Sequence, residues 1–534
     1  MAYYKDLREY IAVLEKNDLL WRIKSPIKKE TELSPMVRWQ YRGLSEEDRR
    51  AFLFENVTDL SGKKYDTHVL VGALAGSEKI YALGMGCRTR DEIDAKWTQA
   101  QRNPIEPRLV QKGSAQEVVY TGKQLKELGL DIIPFPNDIP GFDGVIRTTT
   151  TNFITKDPET GAINIGNYSG YVNARDRIVI GLGTAQHLAT HLDKAREQGR
   201  PLEAALVVGV VPAVSFVSVG KVPYGSNEMA IACGLAGEPI DVIKCKTVDI
   251  EVPATSELVI EGKISTTEVE YATGSFGEYT GYMAEKEIYP IFDVTCITHR
   301  KNFIYQAITS QMPPSESSKI RQIAYENNMY KFLRYDCGIP GVQSVAFHES
   351  SGSWQYCVIQ LKKRHHSEAW QALNCAVGYS AGIGKLIIAV DEDIDPRDPD
   401  SVNWALSFRM QPHRDTRITM GKIAQLDPST LHPASERADR RYPPPTGASA
   451  IMIDATRKFD YPAVALPKRE YMERARELWE AEGLPKLKPK SPWFGYTLGY
   501  WPEEYQEAAE YNLRGEITKL GERTRKERKP FTLD

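Results

Sequence analysis

The chain has 534 residues, of which 41% are hydrophobic and 26% charged, and its net charge is −3 at neutral pH. That length corresponds to about three domains of ordinary size, and the composition is typical of a globular protein with large cores. The nearly balanced charge excludes a global basic field, so we expect no nucleic-acid or membrane partner. Seven dispersed cysteines without C-x-x-C spacing predict reduced thiols in a cytoplasmic protein.

The first half of the chain changes character near residue 115. Residues 1–115 are predicted to be an α/β domain, with helices at "LREYIAVLEK" and "RDEIDAKWTQAQ" and a strand at "HVLVGAL". Residues 116–325 carry short β-rich runs broken by Gly, Pro and Asp, which predict an antiparallel sheet or barrel. One helix is expected there, at "TAQHLATHLDKAREQG", with Thr184 as its N-cap and Gly199 as its stop. The apolar run "AALVVGVVPAVSFVSVG" is too short to span a bilayer and is predicted to form a strand, a turn and a second strand.

The second half is predicted to contain another α/β domain and a helical tail. In residues 326–460 the strand-like runs "SVAFHESSG", "YCVIQLKK", "KLIIAVDEDID" and "SAIMIDAT" are separated by helical segments. Residues 461–534 contain two predicted amphipathic helices, "KREYMERARELWEAEG" and "EEYQEAAEYNLRGEITKL". We predict an oligomerisation tail; packing of its apolar stripes on the chain's own core is the alternative.

The stretch "EYATGSFGEYTGY", residues 270–282, carries a candidate catalytic acid. Its one internal acid, Glu278, lies among aromatic residues and is flanked by Gly277 and Gly281. Glycine permits a sharp turn and a close approach to a ligand. A carboxyl group shielded by aromatic rings is a candidate proton donor, but the stretch alone does not identify the acceptor.

Three other motifs are less specific. His187 and His191 in "HLATH" share one helical face, but Leu188 replaces the glutamate of the H-E-x-x-H motif, which argues against a metalloprotease. The stretch "GYSAGIGK" lacks P-loop spacing, so Lys385 either helps to hold a phosphate or is a surface residue after a helix end. The acids of "VDEDIDPRDPD" fail the calcium-loop pattern and are expected to cap a helix. The absence of a G-x-S-x-G elbow and of a G-x-G-x-x-G turn after a strand disfavours serine hydrolases and Rossmann dehydrogenases.

Taken together, several stretches resemble the UbiD-type reversible decarboxylases that use prenylated FMN. They occur in the family's order over roughly residues 1–465: "ITKDPETGAINIGNY", "AQHLATHL", "VPYGSNEMAIACGLAGEPIDVIKCKT", "VPATSELVIEG", "GSFGEYTGY", "VDEDIDPRD" and "IMIDATRK". The resemblance implies an α/β plus β architecture, with an N-terminal α/β domain, a central split β-barrel that binds the flavin, and a C-terminal α/β domain. It implies an active site between the last two domains, a dimer or hexamer of identical chains, and supply of the cofactor by a flavin prenyltransferase.

The resemblance also assigns ligands and catalytic groups. Asn164, His187 and Glu228 match the family's metal ligands, and these donor types suit Mn²⁺ or Fe²⁺ bridging to the flavin phosphate. A K⁺ site would use backbone carbonyls around Ser218 and share Glu228. Glu278 matches the family's proton-shuttling acid: after CO₂ leaves, the α carbon must be protonated, and in carboxylation the same acid removes the proton. The predicted cofactor-binding residues are Gln186, His187, Lys385, Ser169 and Ser218.

The sequence departs from the family at two positions around Glu278. The family's acid is paired with an arginine and a second acid, but Ser169 and Thr273 stand at those two positions. We therefore expect two hydroxyl groups in place of the ion pair, because losing only one partner would leave a buried charge unpaired. Ser169, Thr273 and Tyr279 are the predicted substrate-pocket residues.

The lost arginine leaves three interpretations of function, because neither Ser nor Thr can grip a carboxylate bidentately. The first is a decarboxylase of an aryl-CoA thioester with an ortho carboxylate, as in the phthaloyl-CoA decarboxylases of the family. The second is a carboxylase or decarboxylase of a free arene or phenolic acid such as naphthoate. The third is a non-catalytic flavin-binding subunit of a carboxylase complex. The basic, aromatic stretch "KLKPKSPWFGYTLGYW" fits either the adenine and phosphates of CoA or a neighbouring subunit.

Overall fold

The computed structural model describes residues 3–150, 152–182, 186–220, 222–284, 287–310, 312–353, 355–422, 427–430 and 448–530. Within these ranges the chain has a mixed α/β fold. None of the helices in the described ranges has the length and apolar character needed to cross a membrane.

The N-terminal part combines four helices with short strands. In chain order its elements are α1 (Leu7–Lys16), β1 (Leu20–Ile23), β2 (Ile27–Lys28), α2 (Leu33–Gly43), β3 (Ala51–Phe54), β4 (Val57–Thr58), β5 (Lys64–Tyr65), β6 (His68–Val71), α3 (Glu78–Gly84) and α4 (Arg90–Arg102). The predicted helices α1 and α4 are confirmed. Each begins at a polar N-cap, Asp6 for α1 and Thr89 for α4, whose side chain accepts a hydrogen bond from the first turn.

The middle of the chain is dominated by strands. Its elements are β7 (Arg108–Leu109), β8 (Val118–Tyr120), α5 (Gly122–Leu128), β9 (Ile146–Thr148), β10 (Asn152–Lys156), β11 (Ile163–Asn167), β12 (Ser169–Ala174), β13 (Arg177–Gly181), α6 (His187–Glu197), β14 (Leu202–Val208), α7 (Pro212–Val219), α8 (Glu228–Ala236), β15 (Asp241–Lys244), β16 (Glu251–Pro253), β17 (Leu258–Tyr271), β18 (Phe276–Gly277), β19 (Met283–Ala284), β20 (Ile288–His299) and β21 (Ile304–Ala307). Nine of these strands form one curled antiparallel sheet in the order β11-β10-β14-β17-β20-β13-β12-β9, with β8 on β20. The predicted antiparallel sheet is therefore confirmed.

The N-terminal sheet takes one strand from far along the chain. Its order is β1-β3-β6-β21, and β21 runs parallel to β6 with Ile304 opposite His68. The N-terminal sheet is therefore not built from one contiguous stretch of sequence, because β21, which lies beyond residue 300, completes it.

The apolar run 204–220 does not form two strands. Its first part is β14, but the second part is the helix α7, so the prediction of a second strand is wrong. Pro212 is at the first helical position, where its fixed φ and missing N–H are tolerated. Seven of the eight α7 residues are buried, which removes the polar face that would have revealed helical periodicity.

The C-terminal part is a second α/β unit. Its elements are α9 (Glu316–Lys331), β22 (Val342–Phe347), β23 (Tyr356–Leu361), α10 (Ser367–Tyr379), β24 (Leu386–Asp391), α11 (Pro399–Arg409), α12 (Pro412–Asp415), β25 (Thr416–Lys422) and β26 (Ala448–Asp454). They build a sheet in the order β22-β23-β24-β26-β25, in which the three central strands are parallel. The predicted cap is confirmed at Asp398, which accepts from Asp400 N at the start of α11. Asp391 and Asp393 instead bind the buried Arg409, at 3.1 and 2.6 Å.

The tail consists of α13 (Arg469–Ala481), α14 (Glu503–Leu513) and α15 (Ile517–Arg525), and none of these helices buries a residue. The prediction of one continuous helix after residue 503 is wrong, because the chain turns at Gly515 with φ +70°. The contacts between the tail and the C-terminal unit include the Tyr496 hydroxyl, 2.5 Å from Asp393, and Lys490, 2.7 Å from Asp400. Its apolar stripes, including Leu478 at 50% and Leu513 at 61% exposure, remain uncovered in the single chain.

Candidate active site

Glu278 lies in a tight turn between β18 and β19. Its N–H donates to Tyr282 O, and Gly281 N–H donates to Glu278 O, both at 3.0 Å. Gly281 has φ +94°, and a Cβ there would lie 2.6 Å from the Met312 sulfur. A Cβ at Gly277 would lie 2.5 Å from Ile139. Both flanking positions therefore require glycine, and together they fix the backbone that carries the acid.

The Glu278 side chain lines a small, partly open cavity of about 40 Å³. The cavity lies between the curled sheet, the end of α7 and the start of α9. Its other lining residues are Arg147, Thr149, Asn167, Ser169, Val219, Ile308, Ser310, Ser317, Ile320 and Arg321. Only Glu278 and Ser169 were identified from the sequence; the remainder come from segments that converge only in the fold.

An ion pair around Glu278 is present, so the expectation that two hydroxyl groups replace it is wrong. Arg147 Nη1 is 3.4 Å from Glu278 Oε1, and Arg147 Nη2 is 2.5 Å from Asp138 Oδ2. All three side chains are nearly buried: Glu278 is 11% exposed, and Arg147 and Asp138 are each 6% exposed. The arginine and second acid thus come from a different part of the chain than the family's motif positions.

Strand pairing explains how Arg147 reaches the site. It lies on β9, which pairs with β12 so that Arg147 is opposite Tyr171, two residues along from Ser169. Burial raises the pKa of the Asp138 carboxyl to about 6, against the opposing effect of Arg147. Burial would lower the pKa of Arg147, but the carboxylates of Asp138 and Glu278 raise it overall. Arg147 therefore stays charged, while Asp138 titrates close to neutral pH.

The three predicted pocket residues have different positions. Ser169 lines the cavity. Thr273 is exposed and its hydroxyl donates to Gly144 O at 2.9 Å, so it is not among the cavity-lining residues. Tyr279 is 7% exposed and packs under the Arg321 guanidinium, whose carbon is 4.2 Å from the ring centroid.

The predicted metal ligands meet where β11, α6 and α8 converge. His187 Nδ1 is 3.4 Å from Glu228 Oε1, while Glu228 Oε2 accepts from the N–H of Ile165, next to Asn164. The Tyr168 hydroxyl is 3.4 Å from both the Asn164 amide and Leu188 N–H, which links β11 to the start of α6. No cluster of three or more His, Cys, Asp or Glu suited to a metal occurs in the described ranges. The predicted ligands are His187, Glu228 and the amide side chain of Asn164, and their mixed oxygen and nitrogen donors fit Mn²⁺ or Fe²⁺.

His191 has a different environment from His187, although both are on α6. It is 2% exposed, its Nδ1 is 3.0 Å from Thr155 Oγ1, and burial lowers its pKa to about 4. Asp157 beside it is bound by Lys194 at 2.9 Å and by the Tyr224 hydroxyl at 2.5 Å. His191 is therefore a neutral packing residue at physiological pH.

The remaining predicted cofactor residues are dispersed. Gln186 is the residue before α6. Thr184, the predicted N-cap of this helix, lies outside the described residues. Ser218 is buried on α7 and donates to Ser215 O at 2.8 Å. Lys385 directly precedes β24, and its Nζ is 2.7 Å from both Asp427 and Ser429. It lines a second, smaller recess and is not among the residues of the Glu278 cavity.

Buried polar atoms without a protein partner lie beside the cavity. Within the described part of the chain these include Arg147 Nε, Thr150 Oγ1 and Asn152 Oδ1. Asn152 pairs in register with the cavity-lining Asn167. Buried polar groups are usually hydrogen-bonded, so this wall suits a polar ligand such as the flavin of the resembling family.

Comparison with known protein families gives three adjacent matches. Residues 11–97 match the 3-octaprenyl-4-hydroxybenzoate carboxy-lyase N-terminal domain, residues 108–313 its Rift-related domain, and residues 320–455 its C-terminal domain. An uncharacterized protein of Aquifex aeolicus is 28% identical over 91% of this chain and 100% of its own. An uncharacterized protein of Archaeoglobus fulgidus is 29% identical over 89% of this chain and 98% of its own.

Solved structures show the same relationship. The UbiD-class enzyme HmfF from Pelotomaculum thermopropionicum, an evolved dimeric form in complex with prFMN, has a TM-score of 0.74 at 29% identity and covers 89% of this chain and 100% of its own. Vanillic acid decarboxylase from Sedimentibacter hydroxybenzoicus, in its closed form, has a TM-score of 0.78 at 27% identity, with 90% and 100% coverage. The chain belongs to the UbiD family and is a carboxy-lyase of the prenylated-FMN-dependent class.

Proposed function

We propose that this enzyme is a reversible decarboxylase of an aromatic acid in which Glu278 donates and removes the proton at the reacting carbon. The observation that carries the proposal is the placement of the Glu278 carboxylate on the wall of a cavity in a UbiD-class fold. The glycine-fixed turn and the contact with Arg147 hold this carboxylate in one position. A general acid must be held within hydrogen-bonding reach of the carbon it protonates.

The neighbouring residues have separate roles in this proposal. Prenylated FMN, when bound, supplies the electron sink for the charge left by departing CO₂. Arg147 orients Glu278, and Asp138 holds Arg147 from the other side. Val219, Ile308 and Ile320 form apolar walls that contact an aromatic ring and exclude water. Water exclusion strengthens the electrostatic interactions among the three charged groups.

We propose that Asn164, His187 and Glu228 bind a divalent Mn²⁺ or Fe²⁺ ion near the cofactor phosphate. Glu228 is the first residue of α8, so the helix N-terminus stabilises its buried charge. Gln186 and Ser218 would lie on the cofactor side, and Lys385 would need to exchange Asp427 for the phosphate. A K⁺ ion bound by carbonyls around Ser218 completes the proposed cofactor set.

The arginines of the cavity bear on the choice of substrate. The aryl-CoA interpretation depended on a pocket without arginine, and the cavity contains two, Arg147 and Arg321. We therefore propose an arene or phenolic carboxylic acid as substrate. The CoA thioester of an ortho-carboxylated aromatic acid is the alternative substrate, and its turnover should be measured beside that of the free acids. A non-catalytic subunit is disfavoured by the buried Asp138–Arg147–Glu278 arrangement, which is costly to bury without a function.

The proposed partners follow from the same assignments. A flavin prenyltransferase would supply the cofactor, and the enzyme would act in the cytoplasm. The uncovered apolar stripes of α13 to α15 favour a homo-oligomer built through the tail.

The experiment is production of the protein with and without a flavin prenyltransferase, followed by anaerobic purification and assay. We expect the prenylated-flavin mass only in the first preparation, together with exchange of ¹³C-bicarbonate into one member of a panel of aromatic acids and CoA thioesters. A preparation that carries no flavin would support a protein-binding subunit. A flavin-loaded preparation inactive on the whole panel would exclude an aromatic (de)carboxylase.

A further inference from the structure

Arg321 is a second cation in the cavity, on the side opposite to the strands. It lies on α9, one turn after Ser317, and both residues line the cavity. Its guanidinium carbon is 4.2 Å from the centroid of Tyr279, the residue directly after Glu278. The cavity therefore brings Arg321 close to the segment that carries the proposed proton donor.

The two cavity arginines differ in how they are neutralised. Arg147 contacts the carboxylates of Asp138 and Glu278. Among the residues that the structure describes, Arg321 has no carboxylate within ion-pair distance. Its Nη1 donates to the Ser317 carbonyl at 3.2 Å and to the Ser317 hydroxyl, and its guanidinium also hydrogen-bonds the Tyr325 hydroxyl, which leaves some of its five N–H groups unused. Arg321 thus has guanidinium N–H groups left for an anion, and buried or half-buried charges normally have an anionic partner.

The helix that carries Arg321 is fixed on both sides. The Glu316 carboxylate accepts from Gly72 N–H and Leu74 N–H, each at 2.8 Å. Lys319 bridges Glu46 at 2.9 Å and Glu349 at 3.0 Å. These contacts hold the first turns of α9, so little conformational entropy is lost when Arg321 binds a ligand.

We infer that Arg321 is the binding site for a carboxylate group of the aromatic substrate. A guanidinium forms two parallel hydrogen bonds to a carboxylate, and the apolar side chains of Ile308 and Ile320 provide surface for the attached ring. The inference depends on the proposed function only for the aromatic nature of the ligand. Two carboxylates fit this chemistry: the one that is lost as CO₂, and a second one that the product retains.

The experiment measures binding of benzoate and phthalate to the flavin-loaded enzyme by calorimetry, without turnover. We expect R321M to weaken binding about tenfold to a hundredfold and R321K to weaken it less, because the charge remains while the bidentate geometry is lost. A matched control is R102M, which removes an exposed arginine that packs 5.8 Å from the Tyr335 ring, outside the cavity. S317A, which removes the hydroxyl that orients Arg321, should cause a smaller loss of affinity. It provides a second test of the inference if R321M does not fold.

The pattern across the two acids distinguishes the source of the carboxylate. Equal losses for benzoate and phthalate identify the carboxylate common to both, and a loss confined to phthalate identifies the second group. Wild-type affinity of R321M and S317A for both acids overturns the inference, as does failure of the wild type to bind either acid. Binding through Arg321 by an enzyme that exchanges no CO₂ would contradict the proposed function alone.

Discussion

Replacing Asp138 by asparagine tests whether the buried Asp138–Arg147–Glu278 arrangement has the electrostatics read from the fold. Burial moves the pKa of Asp138 from 3.8 to about 6. The folded protein therefore binds more protons than the unfolded chain between these values, and stability falls as the pH rises through that window. The full effect is about 3 kcal/mol, of which roughly 1 kcal/mol falls between pH 5 and pH 8. Asparagine has nearly the same shape and does not titrate, so D138N lacks this contribution.

The assay is urea unfolding of wild type and D138N at pH 5, 6, 7 and 8, because the difference between the two proteins cancels the titrating groups that do not interact with Asp138. We expect D138N to gain roughly 1 kcal/mol relative to wild type from pH 5 to pH 8. The control is D131N: Asp131 is also 2.5 Å from an arginine, Arg175, but both side chains are more than half exposed. Such surface pairs contribute little, so its difference from wild type should not depend on pH. A D138N difference that is constant with pH would refute the electrostatic argument.

Three other variants test separate parts of the site. R147M should lower kcat about a hundredfold while flavin stays bound, because Glu278 loses the group that orients it. An unchanged kcat in steady-state kinetics would contradict this role. H187A should lose bound divalent metal, measured by elemental analysis, and retain flavin less well, whereas H191Q should keep both; equal metal content in the two variants would rule out the ligand assignment. Deleting residues 502–534, which contain no buried side chain in α14 or α15, should leave each chain folded and reduce the number of subunits per particle, measured by light scattering as the particle mass divided by the mass of the truncated chain. An unchanged number of subunits would exclude this segment from the oligomer interface.

Sequence periodicity predicted the sheets well because their strands alternate or lie between Gly and Pro signals. It failed at α7, where an almost wholly buried helix has the same uniform apolar character as a buried strand. The only local signal for a helix was Pro212, which starts α7 but equally suits a turn. It also failed at Gly515, where a positive φ interrupts a continuous apolar stripe.

The candidate site shows a different limit of sequence reasoning. Glu278 could be found from its local motif, since its two glycines and its aromatic neighbours are contiguous. Its partner Arg147 could not, because the pairing depends on the register of β9 against β12, which places Arg147 opposite Tyr171. Comparison by motif position pointed to Ser169 and Thr273 and so suggested a lost ion pair. A charge 131 residues away in sequence provides it instead.

The most direct test of the central claim is hydrogen–deuterium exchange by Glu278→Gln in deuterated buffer. The variant is purified with its prenylated flavin, and NMR follows the ring proton of the decarboxylated product. The amide of glutamine keeps the shape of the side chain but cannot donate or remove the proton. We predict that the flavin remains bound and that exchange and turnover are both abolished. Exchange at the wild-type rate in the flavin-loaded variant would show that another group moves the proton and would contradict the assignment of Glu278.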